Sequence, residues 1–262
     1  MWLRIASGFV LATGALALEW FDPYRLGFLA LVAIAVAVLS YEWGRMAAPT
    51  AYARVGLAMT VAVLAAIFVT DAGHIRWAIA AIALGALAAA LVSRGVTERR
   101  ADAAYGVLYV APACVAIVWL RHTPQGAGWT LMLLATTWAA DISAFAVGNA
   151  LKGPKLWPRF SPNKTWSGFF GGLAGGALAA VGIAALLMRL SLAGAAAIGV
   201  AGALATMMGD LWESMLKRRF GVKDSGDLIP GHGGLLDRVD GLMFATLVFT
   251  AARLVVRYGW AH

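Results

Sequence analysis

Cysteine, histidine and charge are all scarce in this sequence. Its 262 residues include one cysteine, Cys114, and four histidines. A single cysteine excludes both an intrachain disulfide and a cysteine metal site, and the scattered histidines argue against a zinc site. Charged residues make up 13% of the chain and hydrophobic residues 61%, whereas soluble domains are about 25% charged and about 45–50% apolar. The composition therefore argues against a soluble fold.

Long apolar runs dominate the chain instead. A membrane-spanning helix needs about 20 mainly apolar residues, and shorter ones are tolerated where the bilayer thins. The runs predict an all-α, polytopic integral membrane protein with about nine helices, forming one membrane domain over 1–262. Within it we expect N-terminal helices in 1–127 and catalytic helices and loops in 128–262. The predicted helices cover about 4–20, 27–42, 55–70, 77–93, 105–120, 128–147, 168–188, 192–211 and 241–257.

Glycine is abundant, at 30 residues, but it shows no three-residue period. This pattern fits close-packed membrane helices better than collagen or a flexible linker. On the predicted seventh helix, glycines recur four residues apart, a spacing that lets neighbouring helices approach closely. These glycines are Gly168, Gly171, Gly172, Gly175 and Gly176.

The lysines and arginines fall mainly on one side of the predicted membrane. Fifteen of the 21 lie on that side and six on the other, and positively charged loops stay in the cytoplasm. We therefore expect a cell inner (plasma) membrane protein with a cytoplasmic N-terminus and an external C-terminus. The two largest polar loops, about 148–167 and 212–240, then face the cytoplasm. The net charge of +8 is spread over short loops, which favours lipid head groups and nucleotide phosphates over nucleic acid as partners.

The densest polar stretch covers residues 209–240. If the predicted eighth helix continues past residue 210, four of its polar side chains fall on one face, and two acidic residues repeat the i, i+3 spacing at the start of the ninth. Carboxylates from two helix ends suit a hard divalent cation such as Mg²⁺, with water and phosphate as further ligands. The side chains are Asp210, Glu213, Ser214 and Lys217 on the eighth helix and Asp237 and Asp240 on the ninth.

A glycine-rich, charged loop joins these two helix ends. Glycines let backbone N–H groups approach phosphate oxygens, and basic side chains neutralise their charge. The competing interpretation is a solvated loop whose charges only obey the positive-inside rule. The loop residues with candidate roles are Lys223, Asp224, Ser225, Gly231, His232, Gly233 and Gly234.

A second polar region begins at Asp141, within the predicted sixth helix. An unpaired carboxylate there would cost about 2.5–3.5 kcal/mol on insertion, so it needs a partner or a function. The loop that follows sets basic residues beside Trp157 and Trp166, and membrane anchoring explains these tryptophans as well as substrate binding does. Two hydroxyls, an amide and an ammonium could bind phosphate, from Ser161, Asn163, Lys164 and Thr165.

The stretch Ser214 to Asp240, SMLKRRFGVKDSGDLIPGHGGLLDRVD, resembles the signature of the phosphatidate cytidylyltransferases, or CDP-diacylglycerol synthases. The region with Asp141 and the SPNKTW segment resembles the second polar region of that family. Three positions depart from the family pattern, which would have a tyrosine, a basic residue and an acid where this chain has Phe145, Asn149 and Ser167.

The resemblance implies attack of a phosphatidate oxygen on the α-phosphorus of CTP, giving CDP-diacylglycerol and pyrophosphate. The implied cofactor is Mg²⁺, with a second metal ion left open. The implied partners are CTP, phosphatidic acid and membrane lipids, without nucleic acid, and a homodimer is also left open. A phosphomonoester has a second pKa of about 6, so no general base is needed.

The resemblance also implies roles for individual residues. Asp210 and Asp237 would be the leading metal ligands, with Asp240 and Glu213 as additional ones. His232 would donate to the departing pyrophosphate or make a structural hydrogen bond. The phosphates would be held by Lys217, Arg218, Lys223 and Arg238, and the nucleotide by the backbone of Gly231 to Gly234.

Two other functions fit the same features. A CTP-dependent polyprenol or lipid kinase would also need basic loops and Mg²⁺, but it would release CDP rather than pyrophosphate. An ion-coupled transporter would use Asp141 and Asp210 as intramembrane ion sites. Against transport, the acids cluster with a glycine-rich loop near one membrane surface.

Overall fold

A computed structural model describes residues 26–95, 100–158, 161–226 and 233–259. These residues include eight helices that are long and apolar enough to cross a membrane. The all-α, polytopic fold class predicted from the apolar runs is therefore confirmed. The predicted first helix, about 4–20, lies outside the described residues.

The other eight predicted helices each have a counterpart, and several extend beyond the predicted apolar runs into polar sequence. α7 continues well past Asp210, as the one-face arrangement requires, and α8 begins ahead of the predicted residue 241. The bounds are α1 Leu26–Ala47, α2 Tyr52–Asp71, α3 Ile75–Val92, α4 Arg100–His122, α5 Gly126–Leu151, α6 Trp166–Leu187, α7 Leu192–Arg219 and α8 Leu236–Gly259.

A short two-stranded sheet occupies part of the predicted 148–167 loop. Strand β1 (Lys155–Trp157) pairs antiparallel with β2 (Ser161–Thr165), with Lys155 opposite Thr165. The Thr165 hydroxyl then accepts a hydrogen bond from the backbone N–H of Gly168 at 3.1 Å, which caps the start of α6.

The chain divides into two compact units. Unit 1 comprises Met1–His122 with Lys217–Arg238, and unit 2 comprises Thr123–Leu216 with Val239–His262. Most of the signature stretch 214–240 thus groups with the N-terminal helices, and we term this part, Lys217–Arg238, the signature segment.

Unit 1 anchors the beginning of this signature segment on α1 and α4. Trp43 of α1 is fully buried, and its ring contacts Phe220 at a centroid distance of 5.6 Å. The Trp43 indole N–H donates to the backbone oxygen of Asp102 at 2.9 Å, and the buried Asp102 carboxylate pairs with Arg219. An aromatic contact and an ion pair therefore hold residues 219 and 220 on the helices of this unit.

Unit 2 contains the glycine face predicted for the seventh helix, here α6. A Cβ added at Gly168 would lie 2.7 Å from the backbone oxygen of Ala144 on α5, and one at Gly171 would lie 2.6 Å from the Cβ of Val147. Both distances are shorter than carbon contacts allow. Glycine is required here because α5 and α6 pack backbone to backbone.

Candidate active site

Both ends of the signature segment converge on the Asp237 carboxylate in unit 1. Lys217 of α7 places its Nζ atom 2.5 Å from Oδ1. Oδ2 accepts from the Ser225 N–H at 3.0 Å, the Ser225 hydroxyl at 2.9 Å and the Gly234 N–H at 3.0 Å. We term these four residues the Asp237 cluster. Every donor belongs to the signature segment, so this motif folds around one carboxylate.

Glycine at two positions allows the loop backbone to reach this carboxylate. Gly233 has a φ of +79°, a backbone conformation that residues other than glycine rarely adopt. A Cβ at Gly234 would lie 2.8 Å from Oε2 of Glu42 and 2.9 Å from the backbone nitrogen of Gly226. The Gly234 N–H donates to Asp237. Binding of the nucleotide by the backbone of this loop stays a prediction.

Glu42 contacts this cluster but is not among the site residues predicted from the sequence. It lies on α1, is fully buried, and accepts from the N–H groups of Leu235 and Leu236 at 2.8 Å each. The Ser225 hydroxyl also lies 3.3 Å from its Oε2 atom. The signal that could have found it is an acid in an otherwise apolar predicted helix, which is the argument applied to Asp141.

Unit 2 holds a second acidic group, which we term the Asp240 cluster: Asp240, Glu213, Asp210 and Lys164. Asp240 and Glu213 are buried, at 8% and 1% exposure. Their carboxyl groups lie within hydrogen-bonding reach of each other, and Asp210 acts electrostatically on Asp240. Lys164 of β2 pairs with Asp210, with 2.7 Å between Nζ and Oδ2. The predicted second polar region therefore contributes a cation to the predicted metal-binding acids.

Glycine also lets α7 and α8 approach closely beside this cluster. A Cβ at Gly241 would lie 3.0 Å from Oδ1 of Asp210 and 2.9 Å from the backbone oxygen of Thr206. The Gly241 N–H donates to Oδ1 of Asp240 at 2.7 Å. The close approach brings carboxylates of both helices together in this unit.

The chemistry of the Asp240 cluster fits a hard divalent cation, because its three acidic side chains offer carboxylate oxygens and such cations prefer oxygen ligands. Within the described residues, however, no group of three or more His, Cys, Asp or Glu side chains is arranged to hold a metal ion. Asp210 Oδ2 is instead occupied by the Lys164 ammonium. The metal roles of Asp210, Glu213, Asp237 and Asp240 stay predictions.

The remaining predicted site residues lie outside these two clusters of contacts. Thr165 is buried and caps α6, and Asp141 is exposed on α5. Gly231 and His232 lie outside the described residues. Ser167, one of the departures, accepts from the Gly153 N–H at 3.2 Å. Asn163, Arg218, Lys223, Asp224 and Arg238 are exposed, and Ser161 and Ser214 are partly buried.

Comparison with known proteins extends the match beyond these residues. The model of the cytidylyltransferase family matches residues 2–256. The chain belongs to this family. A phosphatidate cytidylyltransferase of Brucella abortus is 37% identical over 92% of this chain and 89% of its own length. One of Pseudomonas aeruginosa is 36% identical over 98% of this chain and 97% of its own length.

A third relative covers less of the chain. The phosphatidate cytidylyltransferase of Mycobacterium tuberculosis strain H37Rv is 40% identical over 47% of this chain and 38% of its own length. The family resemblance read from 214–240 is confirmed. The first two relatives extend the similarity over the N-terminal half, whose sequence alone offers only a hydropathy pattern.

Proposed function

We propose that this chain is a CTP:phosphatidate cytidylyltransferase that makes CDP-diacylglycerol and pyrophosphate for phospholipid synthesis. Relatives carrying that activity in their names align with nearly the whole chain. The observation that carries the proposal is the Asp237 cluster, in which the two ends of the signature segment meet at one ion pair. In a solvated loop whose charges only obey the positive-inside rule, the side chains of such a pair would be exposed, whereas those of Lys217 and Asp237 are 15% and 8% exposed.

The reaction joins two anions, a phosphomonoester and a triphosphate. The phosphomonoester is largely ionised at neutral pH, so the demands on the protein are positioning and charge neutralisation. Lys217 and the exposed Arg218, Lys223 and Arg238 supply positive charge on the signature segment. Lys164 supplies it beside Asp210. These cations attract the phosphate groups and offset their mutual repulsion.

We assign divalent-cation binding to the carboxylates that the sequence singles out. Asp240, Glu213 and Asp210 of the Asp240 cluster would hold Mg²⁺, and Asp237 is a further candidate ligand. A bound Mg²⁺ supplies charge neutralisation on the triphosphate. The support for this assignment is the concentration of carboxylate oxygens beside cationic side chains.

The same proposal includes orientation and assembly. The distribution of lysine and arginine supports a cytoplasmic N-terminus, with the loops 148–167 and 212–240 on the side where CTP is made. Phosphatidic acid would then reach the enzyme laterally from the membrane. A homodimer stays an untested prediction.

Product analysis tests this function directly. The purified full chain is incubated with phosphatidic acid, Mg²⁺ and CTP labelled in its cytidine moiety. We expect labelled CDP-diacylglycerol and an equimolar amount of pyrophosphate. Labelled CDP with a newly phosphorylated polyprenol in a parallel reaction would instead indicate the lipid kinase. Failure to convert either lipid, together with solute or ion movement in liposomes, would indicate transport.

A further inference from the structure

Glu42 contacts the signature segment from the opposite end of the sequence. Its hydrogen-bond partners Leu235 and Leu236 are 193 and 194 residues away along the chain. It lies near the end of α1, where its side chain is completely shielded from solvent. A buried carboxylate is unfavourable unless hydrogen bonds compensate for its lost hydration. Its role is therefore to be sought in the bonds that it accepts.

Those bonds are made to the beginning of α8. The first N–H groups of a helix have no acceptor within the helix, and the helix dipole favours a negative charge there. Leu236 is the first residue of α8 and Leu235 directly precedes it, and Glu42 accepts one N–H from each of them, one with each carboxylate oxygen, at 2.8 Å. Glu42 therefore caps α8 with a side chain from α1. The next residue of that helix is Asp237.

Ser225 joins Glu42 to Asp237. Its hydroxyl oxygen lies 2.9 Å from Oδ2 of Asp237 and 3.3 Å from Oε2 of Glu42. A hydroxyl has a single hydrogen, so it donates to one of these carboxylates at a time. The shorter distance favours Asp237. The two carboxylates thus compete for one donor, and the position of either group affects the hydrogen bonding of the other.

Two glycines of the signature segment make room for the Glu42 side chain. A Cβ at Gly226 would lie 3.1 Å from its Cγ atom, and a Cβ at Gly234 would lie 2.8 Å from its Oε2 atom. The loop backbone therefore wraps closely around this carboxylate. The fit accounts for glycine at both positions by packing against Glu42.

We propose that Glu42 is a positioning residue for the cytidylyltransferase reaction. It fixes the start of α8 and the Ser225 hydroxyl, and so sets the orientation of the Asp237 carboxylate. The inference rests on the proposed function, because it gives Asp237 and the signature segment their role toward CTP. Loss of this positioning affects steps that involve CTP and leaves recognition of the phosphatidate unchanged.

Glu42→Gln tests the proposal with nearly the same side-chain volume. The amide retains one acceptor oxygen and presents an NH₂ group to an N–H donor, so one of the two capping bonds is lost. Misplacement of a reacting group by about 1 Å can cost on the order of 100-fold in rate. We expect kcat/KM for CTP to fall by about 10- to 100-fold, while KM for phosphatidic acid is unchanged.

Asp102→Asn is the matched control. It also removes a buried carboxylate of unit 1 that anchors the signature segment, through Arg219 rather than through α8. We expect this control to lower thermal stability but to retain the wild-type constants for each folded molecule. Equal changes in both variants would show a general loosening of the segment and would overturn the specific role of Glu42.

Two measurements do not depend on turnover. Labelled CTP binding is measured without phosphatidic acid, and amide hydrogen exchange is followed at Leu235 and Leu236. Glu42→Gln should weaken CTP binding and accelerate exchange at those two amides. If the wild type makes no CDP-diacylglycerol, the proposed function fails, whereas these measurements still decide whether Glu42 controls the nucleotide site. Wild-type binding and kinetic constants in Glu42→Gln would overturn the inference.

Glu42→Asp provides a second variant if Glu42→Gln does not fold. It keeps the charge but retracts the carboxylate, so the two N–H groups can no longer both be reached. We expect the same selective change in CTP constants, to a smaller degree. If neither variant gives folded protein, or if the folded one has wild-type constants, Glu42 is a structural residue and the inference is wrong.

Discussion

Lys217 and Asp237 form an ion pair with 2.5 Å between Nζ and Oδ1, and their side chains are 15% and 8% exposed. An ion pair this far removed from solvent is retained only where its remaining hydrogen-bonding groups are satisfied. Asp237 meets that condition through Ser225 and Gly234. The pair joins α7 to α8 within unit 1 and holds the signature segment closed at its ends.

Asp237→Asn should abolish turnover while the protein remains folded. The change keeps the shape of the side chain but removes the negative charge that Lys217 and a bound cation would meet. We expect kcat to fall by more than about 100-fold, the scale seen when one electrostatic group of an active site is removed. Turnover is measured beside the thermal unfolding temperature.

Asp71→Asn serves as the control for this substitution. It removes the carboxylate that pairs with His122 at the end of α2, also in unit 1. Its kcat should match that of the wild type. Activity of Asp237→Asn within a few-fold of the wild type would exclude a role for this charge in the reaction.

Lys164→Met should separate function from stability. Lys164 and Asp210 are 30% and 28% exposed, and ion pairs of this kind contribute only about 0–1 kcal/mol to the free energy of unfolding. Loss of a cation that is proposed to meet phosphate should nevertheless lower kcat/KM for CTP by about 10-fold or more. Steady-state kinetics and thermal unfolding are compared in the same detergent.

Lys155→Met is the matched control, because it removes an exposed lysine from the other strand of the same sheet. It should leave kcat/KM nearly unchanged. If the two lysine variants lose activity equally, the effect belongs to the general positive charge of this loop and not to Lys164.

The helices could be predicted from sequence more readily than the clusters, for physical reasons. Apolar run length is set by bilayer thickness, so each described helix had a sequence counterpart. An apolar run ends where polar residues begin, but the helix that contains it can continue. For this reason α7 extends to Arg219, beyond the end predicted from the apolar run. The short strands β1 and β2 were missed because they carry too few residues for a periodic signal.

Local spacing was informative where the whole pattern lies within one helix. Glycines four residues apart correctly indicated the close packing of α6 on α5. The partners of Glu42 are almost two hundred residues away along the chain, a separation that no local pattern reports. A buried acid in an apolar helix was the only available clue, and it gave no indication of which residues it would contact.

Chelation of divalent cations should stop turnover reversibly. Carboxylates in the Asp237 and Asp240 clusters are proposed to hold Mg²⁺ beside the triphosphate, and the reaction depends on neutralising that charge. Excess chelator is added during steady turnover, and Mg²⁺ is then restored. Recovery of the initial rate is expected. Turnover that continues in excess chelator would contradict a divalent-dependent reaction.

Gly168→Ala should destabilise the contact between α5 and α6. The new Cβ would lie 2.7 Å from the backbone oxygen of Ala144, and a backbone atom cannot move away cheaply. Overpacking of this kind costs about 1–3 kcal/mol. At Gly182 on the same helix, an added Cβ would meet no described atom within 4 Å. Gly182→Ala should therefore keep or raise the unfolding temperature, and equal losses in the two variants would show that helix packing is not the cause.

Membrane topology is tested by single cysteines at the two ends of α6. Lys155 and Arg189 are exposed and lie beyond opposite ends of this helix, Trp166–Leu187. In the predicted topology, fifteen of 21 basic residues fall on the side that contains Lys155, so the positive-inside rule predicts a cytoplasmic location for it. Cys114 is buried and is replaced by alanine to leave one reactive thiol per variant.

In intact cells, a membrane-impermeant thiol reagent should label Arg189→Cys and should label Lys155→Cys only after permeabilisation. Turnover of both variants is checked first, so that labelling reports on an active enzyme. CTP is made in the cytoplasm, and a site on the external face would have no supply of it. Rapid labelling of Lys155→Cys in intact cells would therefore refute both the assigned orientation and a cytoplasmic active site, whatever the activity of the purified protein.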